Sequence, residues 1–332
     1  MTAFFRDFAD RPKGELHLHL EGAVAPATLV ALAGRAGSRV FPSTEAVRAR
    51  RKGLSGATFL AFYRDVCALL ESPADYALLA RDLCRHLARG GVTAAEVYVS
   101  PAIVERIGLS WPDVVAALEL VFAAHEAAGR GSVRVLLDSV RHWGEAAAHR
   151  VLDVHEAHPW TRVVGFGLGG DEAAVPARAF RDVYTRVVAL GLTPLVHAGE
   201  WAGASSVAEA LEHLSPARIA HGVRAIEDPG VVDELVRRGV ALDVCIASNV
   251  ATGVVPSVSA HPALRLLRAG VALTLSTDDP GLFGTTLKSE YRALASLGAT
   301  PAELARVARA SLERAIAQPA AARSGASVRT RS

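Results

Sequence analysis

The stretch GELHLHLEG, residues 14–22, sets two histidines one residue apart inside a short apolar run. On an extended strand residues i and i+2 face the same side, so His17 and His19 point the same way. A lone core histidine is usually hydrogen-bonded and structural, whereas a pair at this spacing favours a metal, for which imidazole is a common ligand.

Working outward, seven more runs rich in Val, Leu and Ile recur: AEVYVS (95–100), VRVLLD (133–138), VVGFGLG (163–169), TPLVHAG (193–199), RIAHGV (218–223), ALDVCI (241–246) and ALTLST (272–277). With ELHLHL (15–20) they make eight candidate strands. Continuous apolar runs suit strands buried on both faces, and parallel strands need a crossover between them. The intervening stretches, among them SVAEALEHL and DPGVVDELVRRG, carry apolar residues at helical spacing, and several stop at glycine. Eight such units predict an α/β fold, a (β/α)8 barrel, with a doubly wound open sheet as the weaker option.

The first crossover, from Gly22 to about Thr93, has room for two or three helices. Its segment GATFLAFYRDV (56–66) is a candidate lid over the catalytic mouth, with simple helical packing as the alternative. We expect one domain over residues 1–318 and a small, polar, disordered tail over 319–332.

Composition excludes several classes. Of the 332 residues 51% are hydrophobic and 21% charged, enough for a large core. A formal net charge of +2, with arginines scattered among acids, argues against a nucleic-acid partner. Cys67, Cys84 and Cys245 form no CxxC pair and indicate neither a disulfide framework nor a thiolate metal site. No stretch has the roughly 20 apolar residues of a membrane helix, and a cytoplasmic location is expected. The sequence is silent on oligomeric state.

Barrel active sites form at the C-terminal ends of the strands. The polar residues there are His197 and Glu200 in VHAGE, His221 in IAHGV, and Asp278 and Asp279 in STDDPG. An ionised Asp278 suits a further metal ligand, and Glu200 suits a general acid. Zinc held by nitrogen and oxygen with an open position lowers the pKa of its water to about 7, which implies a hydrolase.

These pieces, ELHLHLEGA, FGLGGDE, VHAGE, RIAHGV, the SN of CIASNV and STDDPGLF, resemble the adenosine/adenine deaminase family of the amidohydrolase superfamily, in family order from residue 15 to about 283. The resemblance implies one Zn²⁺ per chain bound by His17, His19, His197 and Asp278. It places Glu200 at purine N1 as proton donor and His221 on the zinc-bound water, with Asp279 at N7 and the amide of Gly170 at N3. Asp279 has to be protonated to donate, a state that a like charge at Asp278 favours. Phe59, Leu60 and Tyr63 match the family's apolar lid, Ser100 a residue near the ribose pocket, and Arg141–His142 a structural pair.

The substrate signals conflict. Glu21, where adenosine enzymes usually have aspartate, is the form more typical of adenine deaminases and of relatives acting on modified nucleosides. Gly170, Asp171 and Glu172 stand where free-base enzymes tend to carry a Ser-Glu pair, and match nucleoside enzymes instead. Trp201 and Val99 suggest an altered outer site. The resemblance favours a small-molecule 6-aminopurine nucleoside, adenosine or a 5′-modified relative such as aminodeoxyfutalosine. Adenine as the free base is the alternative, and an inactive purine-binding protein the rival outside the enzyme class.

Overall fold

Each of the eight runs forms or borders a strand because its Val, Leu and Ile side chains are buried on both faces and an amphipathic helix follows to carry the chain back. The computed structural model describes residues 2–316. The strands are β1 (Lys13–Glu15), β2 (Val92–Val99), β3 (Ser132–Val140), β4 (Val163–Gly169), β5 (Thr193–Ala198), β6 (Arg218–His221), β7 (Ala241–Val244) and β8 (Leu273–Leu275). They lie in sequence order, each parallel to the next. Beyond the ends of β8 and β1 the two edges meet: Asp278 N donates to His17 O at 3.1 Å, and His19 N donates to Asp278 O at 3.0 Å. That closure makes the fold a (β/α)8 barrel and excludes the open sheet.

Two expectations need correction. Regular pairing in β1 stops at Glu15, so the two histidines lie just past the strand, where Leu18 bridges to Asp278 and His19 to Tyr98. The alternation survives because these bridges hold the backbone extended. The first connection carries four α-helices, Pro26–Arg35, Thr44–Arg50, Gly56–Cys67 and Pro73–Gly90, where two or three were expected. Short interruptions that a periodicity search merges are helix starts here, as at Ser55 and Ser72, each part of a capping box. The tail assigned to 319–332 lies outside the described residues. Among the described residues no helix is long and apolar enough to cross a membrane.

The barrel interior is layered. Tyr98, Leu136, Val164 and Leu195 form an apolar cluster apart from the main core. Arg218 on β6 is buried, with Nε donating to Asp243 Oδ2 at 2.9 Å, one terminal nitrogen donating to Glu96, and the other to the Arg314 carbonyl at 2.7 Å. Removing one partner of a buried ion pair typically costs about 3–5 kcal/mol, because the other charge is left unpaired. Arg218→Met is therefore expected to lower unfolding free energy by about that amount in urea titration; a loss below about 1 kcal/mol is the value for exposed pairs and contradicts this reading.

Candidate active site

The C-terminal ends of the strands bring six polar side chains to one floor. His17 and His19 follow β1, His197 sits on β5, His221 ends β6, Asp278 follows β8, and Glu200 lies two residues past β5; all are buried. His221 and Asp278 have φ of 62° and 61°, a left-handed backbone that non-glycine residues rarely adopt and that clusters at functional sites.

The Nε2 atoms of His17 and His19 are 3.3 Å apart, those of His19 and His197 3.3 Å, and those of His197 and His17 3.1 Å. Asp278 Oδ1 is 3.2 Å from His17 Nε2 and 3.4 Å from His19 Nε2. A tetrahedron with corners about 2.0–2.1 Å from its centre, the zinc distance for nitrogen and carboxylate oxygen, has edges of about 3.3 Å. This donor set therefore fits a small divalent cation. Burial and the neighbouring imidazoles hold the His197 pKa well below its ordinary value, and burial takes His19 to about 4, so both rings are neutral with lone pairs available. Burial opposes ionisation of Asp278, but the His17, His221 and His19 rings together outweigh it and hold the carboxyl well below its usual range.

His221 also comes within 4.8 Å of His17, His197 and Asp278, so it competes with His19 for a place in the cluster. Hydrogen-bond bookkeeping sets His221 apart from a ligating ring such as His197. His197 Nδ1 lies 3.2 Å from the Leu168 carbonyl, which requires an N–H there and frees Nε2 to ligate. His221 is oriented the other way. The Ala263 backbone N–H donates to His261 Nδ1 at 3.1 Å, so His261 Nε2 carries the proton facing Asn249 Oδ1 at 3.1 Å. The Asn249 amide then donates to His221 Nδ1 at 3.1 Å. A neutral His221, with its pKa lowered by burial to about 3, consequently carries its proton on Nε2, 3.6 Å from Glu200 Oε2.

Burial, followed by the charges of Asp278 and Glu172, raises the Glu200 pKa well above the carboxylate range. Asp279 is raised likewise, by burial first and then by Asp278. Asp279 Oδ1 has no partner, and its side chain rests against Gly22, where a Cβ would come within 1.6 Å of it. Gly22 therefore accommodates Asp279, which explains the glycine in the opening motif.

Above this floor opens a cavity of about 560 Å³. Phe59 and Leu60, from the helix Gly56–Cys67, form part of its wall, with Phe59 stacked on Phe283 at 4.9 Å between ring centroids. Gly170, with φ of 91°, and Asp279 also line it. Two expected substrate residues are absent from the wall. The Glu21 carboxylate accepts hydrogen bonds from Tyr63 at 2.8 Å and Tyr76 at 3.3 Å, and so supports the lid from behind. The Ser100 hydroxyl caps the helix Pro101–Arg106, accepting from Ile103 N at 3.4 Å.

Glu172 and Arg141 entered the sequence reading without the roles they hold here, and His261 and Asp138 escaped it. The Glu172 carboxylate accepts from the backbone N–H groups of Gly199, Glu200, Trp201 and Ala202 and from the Ser206 hydroxyl, latching the loop that carries Glu200. Arg141 braces the same turn, donating to the His197 carbonyl at 2.6 Å. His261 anchors Asn249, and Asp138, two residues before the end of β3, lines the cavity. Asp138 stood at the end of a candidate strand, where the rule that found Glu200 also applies.

The sequence profile of the adenosine deaminase family matches residues 12–325. The adenine deaminase of Sinorhizobium medicae is 38% identical over 304 residues, 91% of this chain and 93% of the relative. The aminodeoxyfutalosine deaminase of Acidothermus cellulolyticus is 34% identical, over 87% and 84% of the two chains. The crystal structure of adenine deaminase from Arthrobacter aurescens superposes with a TM-score of 0.88 at 31% identity, covering 93% of this chain and 95% of that one. Barrel and site define an amidohydrolase-superfamily deaminase. Within that class the chain belongs to the adenosine deaminase family, hydrolytic enzymes acting on C–N bonds of cyclic amidines.

Glu172→Ala leaves four loop N–H groups without their acceptor. It is expected to lower turnover at least about 100-fold, the scale for mispositioning a reacting group by 1 Å, while metal content stays at the parental level. Parental turnover in a correctly folded variant excludes Glu172 as the latch.

Proposed function

We propose that this enzyme removes the 6-amino group of an aminopurine by hydrolysis, releasing ammonia and the 6-oxopurine. The observation that carries the reading is the convergence of four ligand atoms with two protonated carboxyls on the floor of one cavity. His17, His19, His197 and Asp278 would hold one Zn²⁺. Such an ion supplies hydroxide at neutral pH by lowering the pKa of water to about 7.

The remaining steps belong to the protein. Glu200, kept protonated by burial, donates to ring N1 and neutralises the charge that develops there. Asp279, also protonated, donates to N7, and the Gly170 N–H to N3. Together they draw electron density from C6. His221 presents Nε2–H beside Glu200 and Asp278, placed to orient the attacking water rather than to ligate the ion. Phe59 and Leu60 keep bulk water from the ring.

For the substrate itself we favour a nucleoside, adenosine or a 5′-modified relative such as aminodeoxyfutalosine. The cavity runs from the histidine cluster out to Ile103, Arg106 and Trp143, and its roughly 560 Å³ lies in the range of drug-sized ligands rather than of a single small ring system. The likeness to aminodeoxyfutalosine deaminase supports this. Free adenine is the second reading, supported by the 38% identity to the Sinorhizobium medicae adenine deaminase. Initial rates on adenine, adenosine and aminodeoxyfutalosine, followed by ammonia release, separate the two: a nucleoside should give the largest kcat/KM, and preference for adenine overturns the first choice.

Glu200→Gln is expected to cost turnover about 10²–10⁴-fold with metal retained, the usual contribution of general acid–base catalysis. Both working carboxyls act in their protonated forms. Their raised pKa values keep activity through neutral pH and place its loss on the alkaline side, whereas carboxyls of ordinary pKa would be deprotonated, and the activity lost, as pH rises past about 5. A kcat/KM profile declining from pH 5 upward, in fully metallated enzyme, contradicts the assignment.

A further inference from the structure

Asp138 is a residue that the deamination scheme leaves without a task. It lies on β3 two residues beyond Leu136, on the face that packs with Tyr98, Val164 and Leu195 inside the barrel. Such interior positions are ordinarily filled by bulky apolar side chains. Here a carboxylate occupies one, 7% exposed, with Oδ1 lacking any partner and the side chain lining the cavity. Its Oδ2 stands 3.8 Å from His19 Nδ1, too far for a hydrogen bond. Buried polar groups are nearly always satisfied, so an orphan in a cavity wall points to a partner that arrives with the ligand.

Its position says which part of the ligand. A Cβ built on Gly169 would lie 3.3 Å from Asp138 Oδ1, so this oxygen sits beside the residue preceding Gly170. Gly170 is the residue whose N–H we place at purine N3, and N3 neighbours N9, the atom that carries the sugar. Val140, next on the same face of β3, and then Trp143 continue the cavity wall outward from that edge.

We propose that Asp138 is a specificity residue that hydrogen-bonds a ribose hydroxyl of the substrate, an inference that rests on the purine-deaminase reading. A hydroxyl both donates and accepts, so it satisfies the orphan oxygen whether the carboxyl is ionised or protonated. The substrate class is thereby narrowed to 6-aminopurine nucleosides that keep a free hydroxyl at the 2′ or 3′ position.

The test measures binding of unreactive product-like ligands to the full-length, metal-loaded chain by calorimetry, with inosine, 2′,3′-dideoxyinosine and hypoxanthine as probes. Asp138→Leu matches the carboxylate in shape and restores the apolar residue expected there, so it should fold, with an unfolding temperature at or above the parent's. It is expected to weaken inosine at least about 10-fold, the loss of one hydrogen bond to a charged or strongly polar group, and to leave the other two ligands within about twofold. Asp138→Asn, which keeps a hydrogen-bonding oxygen, should recover part of the loss. Equal weakening of all three ligands, or a fall in bound metal, overturns the proposal and makes Asp138 a support for His19. If the parent binds hypoxanthine but neither nucleoside, the proposal fails while the purine reading stands; if it binds no purine, the purine reading itself has failed.

Discussion

One backbone residue holds both the barrel and its chemistry together. Asp278 donates its N–H to the His17 carbonyl and accepts from the His19 N–H, so it spans the gap between the first and last strands and fixes the HLH stretch in the same act. Its left-handed φ turns the carboxylate toward the Nε2 atoms of His17 and His19, and the Ser248 hydroxyl holds the other oxygen at 2.7 Å. Barrel closure and assembly of the ligand cluster are therefore a single event. The strain at φ 61° is offset by two ladder hydrogen bonds and a charge-assisted contact.

Environment, more than residue type, divides labour among the carboxyls. Asp278, Asp279 and Glu200 are all buried within one site. Asp278, ringed by imidazoles, is held ionised; Asp279 and Glu200, facing apolar wall and the negative charge of Asp278, are held protonated. Opposite shifts in neighbouring acids are how one site can ligate a cation and donate protons at the same pH.

Much of this was legible in the sequence because the signals are local. Eight apolar runs with crossovers between them imply the barrel, His17 and His19 stand out by their i, i+2 spacing, and His197, Glu200, His221, Asp278 and Asp279 announce themselves as polar residues at strand ends. What the sequence hid depends on distant pairing. Whether His221 ligates or donates turns on His261, forty residues away, acting through Asn249. The family resemblance set Glu21 near the ribose, and nothing in the sequence signals that Tyr63 and Tyr76, from helices with no local link to it, donate to its carboxylate. Ser100 was placed near the ribose pocket by the same resemblance, whereas the proline after it marks a helix start that needs a cap.

The Glu172 latch grips the turn after β5 through main-chain amides alone, apart from one serine. Main-chain groups are common to every residue but proline, so the grip is indifferent to what stands at 201 and 202. The rim of the pocket can thus drift in evolution, with tryptophan at 201 exchanged for another shape, while Glu200 beside it keeps its address. The shape of the rim and the placement of Glu200 are separately inheritable in this turn, which makes position 201 a natural place to change what the pocket admits.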